Sequence, residues 1–74
     1  MEEYQKRMIE EHDSLTIKIS KLEDFINSSN VFKTLSIEDR EDMRNQLHAM
    51  ILYENFLYRR LKRNNLWERY TYLH

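Results

Sequence analysis

Three observations predict an all-α protein. The 74 residues contain no Gly, no Pro and no Cys, apolar side chains recur at helical spacing in two long segments, and one turn-prone stretch separates those segments. Average usage would put about five Gly and four Pro in a chain of this length. Those residues supply the sharp turns of hairpins and compact loops. The predicted architecture is an antiparallel two-helix hairpin with a short third C-terminal helix, assembling into a homo-oligomer.

The first helix is expected over residues 2–27. Tyr4, Met8, Leu15, Ile19, Leu22 and Ile26 follow one another at steps of 4, 7, 4, 3 and 4, which is one amphipathic stripe with a gap at Glu11 or His12. Glu2–Lys6 and Glu3–Arg7 are well-oriented i,i+4 pairs that also put acid at the helix start. Asn27-Ser28-Ser29-Asn30 reads as the stop, with an Asn in the left-handed cap position that Gly usually occupies.

A turn is expected over 28–35, with Phe32 and Leu35 placed to plug it. Ser36 then reads as the N-cap of a second helix over 37–63, with Asp39 where a capping box usually has Glu. Met43, Leu47, Met50, Leu57 and Leu61 form its seam, at steps of 4, 3, 7 and 4, and Glu54 stands where an apolar residue is due. Ile51, Leu52 and Phe56 widen the apolar surface beyond one stripe. A helix apolar on several sides needs more than one neighbour. Leu66, Trp67, Tyr70 and Leu73 are spaced for a short helix or ordered tail over 65–73 that folds back. A second copy would cover Ile51, Leu52 and Phe56.

Seventy-four residues make one domain at most. A domain this small buries only about 60% of its unfolded surface and usually needs a staple. No disulfide and no zinc-type spacing is available, which leaves oligomerisation. Charged residues make up 34% of the chain at a net charge of -1, a balance unlike that of proteins binding bulk nucleic acid. The longest apolar run, Ala49 to Leu52, spans no membrane. The acidic start Met1-Glu-Glu-Tyr is unlike a signal peptide, so an intracellular compartment is expected.

Charge is unevenly placed. Residues 1–35 carry a net -2, residues 36–58 a net -3 and residues 59–74 a net +4. The macrodipole alone favours acid at the start and base at the end of the second helix. An antiparallel hairpin also gathers groups at its open end, with Tyr4 near position 60 and Arg7 near position 57. Arg7, Arg59, Arg60 and Arg63 are then candidates to hold phosphates, and Tyr4, Tyr58 and Trp67 to stack on bases. By the same pairing Glu54 falls near position 10, within reach of Lys6, Arg7 or His12. A polar residue on a helix seam most often fixes register. His12, His48 and His74 offer no metal-binding spacing, and no serine has a base beside it. No metal, no cofactor and no enzymatic activity are expected.

The order of several short elements resembles a family of small helical-hairpin proteins of tailed bacteriophages, known from crAss-like phages. Those elements are Tyr4 with Arg7, Ile19 with Lys21 and Leu22, Phe25-Ile26-Asn27-Ser28, Phe32 with Leu35, Gln46-Leu47 with Met50 and Tyr53, and Leu57 with Arg60-Leu61. The resemblance covers about residues 4–61. It implies a helical hairpin acting in the cytoplasm of an infected bacterial host. By analogy of architecture with phage anti-defence sponges, it also implies sequestration of a small anionic signal, a cyclic nucleotide first among the candidates. Two other readings stay open. The chain is a phage inhibitor that binds a host defence, CRISPR or replication protein through Phe56, Tyr58, Trp67, Tyr70 and Tyr72, or it is a structural assembly part.

Overall fold

Glu2 opens the first helix with its backbone N–H donating to Gln5 Oε1 at 3.0 Å, so an orphan donor of the first turn is satisfied locally. The structure, a computed structural model, describes residues 1–67 and places helices α1 over Glu3–Ser28, α2 over Asn30–Thr34 and α3 over Ile37–Arg63. The expected contributions of Tyr70, Tyr72 and Leu73 to a helix over 65–73 lie outside the described residues. Among the described residues there is no strand, and α1 and α3 pack against each other as an antiparallel hairpin.

The connection differs from the open turn that the sequence predicts over 28–35. Ser29 breaks the chain with extended backbone, and its hydroxyl accepts from the Val31 N–H at 3.1 Å, capping the five-residue α2. Phe32 is thereby buried, edge-to-face with Phe25 at 6.0 Å, and the Arg44 guanidinium lies 5.2 Å above its ring. The break needs no left-handed residue. Ser36 then caps α3, accepting from the Asp39 N–H at 3.1 Å.

The left-handed cap is used at the far end of α3. Asn65 has φ 56, the one positive φ among the described residues. The Leu66 N–H donates to the Leu61 carbonyl at 2.9 Å and the Asn65 N–H to the Lys62 carbonyl at 3.0 Å. This is a Schellman stop with Asn in the glycine position, and its apolar contact is supplied by the buried Leu61 and Leu66. The chain reverses there and brings Trp67 back onto the hairpin.

The core lies toward this open end. Met8, Ile9, Leu15, Leu57, Leu61 and Leu66 form one buried cluster, with Ile19, Met50 and Trp67 packed against it. Each fully buried Leu contributes about 1.5–3 kcal/mol by removal from water. The pairing is shifted from the sequence expectation by two residues at His12–Glu54 and by four, about one helical turn, at the open end. Tyr4 meets Asn64 rather than position 60, its hydroxyl donating to Asn64 Oδ1 at 3.1 Å.

Candidate functional site

A side chain that points into a helical core with charge or hydrogen-bonding capacity must find a partner there. His12 lies in the gap of the α1 stripe and Glu54 in the gap of the α3 seam. The structure joins them, His12 Nε2 to Glu54 Oε1 at 2.8 Å. His12 is 2% exposed and Glu54 side-chain exposure is 24%, so the pair runs from the core to its edge. The Trp67 ring stands edge-on to the imidazole at 5.7 Å. Of the three partners open to Glu54 in the sequence, His12 is the one chosen.

The expected phosphate and stacking residues do not form one patch. At 100° per residue, a run of neighbours on a helix necessarily points in several directions. Arg59 and Arg63 lie on the side of α3 away from Leu57 and Leu61, and the Arg59 guanidinium sits 5.4 Å above the Phe56 ring. Arg60 is one turn before Asn64 and Arg7 one turn after Tyr4, so this pair flanks the Tyr4–Asn64 contact. Gln5 Nε2 also donates to Asn64 Oδ1, at 3.4 Å, and Asn64 Nδ2 donates to the Arg60 carbonyl at 2.8 Å. Tyr4 is exposed and is tied to α3 through its hydroxyl. Arg7, Arg59, Arg60 and Arg63 are all exposed, and among the described residues none of them has an ion-pair partner.

Tyr58 and Trp67 sit elsewhere. Their rings meet edge-to-face at 4.5 Å, both are half-buried, and Lys62 Nζ lies 5.4 Å above the Tyr58 ring. Tyr58 is a third of a turn around α3 from Asn64. Leu52 and Phe56 are 60% and 58% exposed, whereas Ile51 is half-buried.

One feature escaped the sequence reading. A groove of about 400 Å³ runs between the helices on the turn side, lined by Leu22, Phe25, Met43 and Met50 with Lys18, Lys21 and Gln46 at its edges. Its signal was present as Lys18 and Lys21 at i,i+3, followed by Phe25 four residues on. Leu22, Met43 and Met50 of its floor belong to the two helix seams, which by periodicity alone read as core. Among the described residues no group of His, Asp or Glu could hold a metal ion, and no helix is long and apolar enough to cross a membrane.

The sequence profile of the Sequestin family matches residues 2–63. The chain belongs to the Sequestin family. No curated protein and no solved structure matches it. The Sequestin match takes in all three helices, the His12–Glu54 pair and the four arginines, and it ends where α3 ends. Asn64, the Schellman stop and Trp67 follow the matched span.

Proposed function

We propose that this Sequestin-family protein binds and sequesters a small anionic signal, a cyclic nucleotide, without transforming it, and does so as a homo-oligomer. The observation that carries the reading is the set of exposed arginines with no acid partner among the described residues, in a family whose name denotes sequestration. Arg7 and Arg60 are the pair best placed to act together, because they flank Tyr4 and Asn64 at the open end of the hairpin. Guanidinium groups hold phosphate oxygens in bidentate fashion, and the Tyr4 face offers a surface for a base. Arg59 and Arg63 lie on the outer side of α3, away from this pair. The resemblance to small phage proteins supports an anti-defence role in the cytoplasm of an infected bacterium.

A thermal-shift screen of the purified protein against cyclic di- and trinucleotides and cyclic ADP-ribose derivatives tests this reading. A ligand at a thousandfold excess over its Kd adds about 4 kcal/mol, which raises Tm by roughly ten degrees or more in a domain of this size. The shift should vanish in Arg7→Ala/Arg60→Ala. A flat screen overturns the reading and turns attention to a host protein as the target.

A further inference from the structure

The outer face of α3 carries a second seam that is exposed and that no other helix among the described residues covers. Counting back from the buried Leu57 and Leu61, the opposite side of the helix presents residues 38, 42, 45, 49, 52, 56, 59 and 63, at alternating steps of 4 and 3. That is a strict heptad seam, three and a half residues per turn, of the kind that packs against another helix. Its middle holds Ala49, Leu52 and Phe56 beside Asn45, all exposed. One end holds Glu38 and Asp42 and the other holds Arg59 and Arg63, all four exposed and without ion-pair partners among the described residues.

We propose that a second copy of this chain docks on this face, with the two α3 helices antiparallel about a two-fold axis between Met50 and Ile51. Charge and register select this arrangement. In antiparallel packing each position of one seam row meets a position of the other row across the axis. About this axis Ala49 meets Leu52 of the second copy, Glu38 meets Arg63 and Asp42 meets Arg59. Asn45 meets Phe56 of the second copy, and all four pairs share the same centre. Parallel packing would instead put Glu38 on Glu38 and Arg63 on Arg63, and a slip of one heptad would break both charge pairs. The two helix dipoles also oppose each other only in the antiparallel form. A shallow crossing of about 20° keeps both ends of the two helices within reach of long side chains.

The interface rests on the homo-oligomer of the reading above but not on its ligand. Arg7 and Arg60 lie off the seam, so loss of the dimer in Leu52→Asp and loss of ligand binding in Arg7→Ala/Arg60→Ala are read separately. The test is the solution mass of the full chain by sedimentation equilibrium, alongside far-UV circular dichroism to verify folding. Wild type should have twice the single-chain 9.3 kDa, and Leu52→Asp should reduce it to one chain with helicity retained. Glu38→Arg alone and Arg63→Glu alone should each raise the dimer Kd at least tenfold. Combined in one chain, the two should restore it to within about threefold of wild type. Residues 38 and 63 stand at opposite ends of α3, about 37 Å apart, so rescue cannot arise within one chain. A wild-type chain that is monomeric at every concentration overturns the inference. So does an oligomer that survives Leu52→Asp, or single charge reversals that the double variant fails to rescue.

Discussion

Replacing Glu54 with Leu should destabilise the hairpin even though Leu better fits the apolar seam. Glu54 Oε1 lies 2.8 Å from Nε2 of a His12 that is 2% exposed. The substitution leaves that ring nitrogen facing Leu in place of a carboxylate. Removing one partner of a buried hydrogen bond costs about 1–3 kcal/mol. The new Leu recovers only part of this, because position 54 keeps a quarter of its side chain in water. A 74-residue domain has roughly 4–11 kcal/mol of stability in all, so the loss is a large fraction. It should lower Tm by about 4–8 °C for each kcal/mol. The companion variant His12→Leu/Glu54→Leu removes both polar groups and should return most of the loss, since replacing a buried pair by apolar residues is often neutral. The assay is thermal and urea unfolding by circular dichroism at one fixed protein concentration, read as a double-mutant cycle with an expected coupling of about 0.5–3 kcal/mol. Glu54→Leu melting with wild type would refute the reasoning, as would a double variant no better than the sum of its singles. The pair is also expected to set register, because a slip of one turn would bring Met50 or Tyr58 to His12 in place of Glu54.

Two further substitutions probe the frame. Leu61→Ala, at a side chain with 0% exposure, should cost about 2–5 kcal/mol in urea unfolding, enough to leave much of the protein unfolded at 37 °C; a loss below about 1 kcal/mol would mean that the core is not where the structure puts it. Ser36→Ala removes the hydroxyl that accepts from the Asp39 N–H and should cost about 1 kcal/mol, whereas Ser36→Asn should keep nearly all of it; equal melting of Ser36→Ala and wild type would contradict the cap.

The two long helices were legible because their stripes are long and regular, and Ser36 marked the start of α3 with a cap chemistry that has few other uses. Helix α2 was not legible. Five residues carry no usable period, and Ser28-Ser29-Asn30 signals a turn equally well whether the next residues coil or wind. The left-handed Asn was assigned to the wrong end, since both Asn27–Asn30 and Asn64-Asn65 suit it and only tertiary contact between Leu61 and Leu66 decides. Pairing across the hairpin departs from a symmetric turn by two to four residues, because His12–Glu54 and Tyr4–Asn64 set the alignment. The arginine run was the hardest part to read. Neighbours in sequence lie 100° apart on a helix, so Arg59 and Arg63 share the outer seam while Arg60 falls on the Asn64 side of α3. Tyr58 and Trp67, expected as stacking residues, are half-buried and meet edge-to-face, which periodicity alone does not reveal.

Sequestration differs from catalysis and from silence in what happens to the ligand. The direct measurement is to incubate the protein with a cyclic nucleotide that shifts its melt, separate free from bound ligand by filtration, then heat the protein and assay what is released. The account predicts that free ligand falls in fixed proportion to protein and that heating returns it chemically unchanged. A ligand that comes back hydrolysed, or a filtrate that never loses it, would contradict the account.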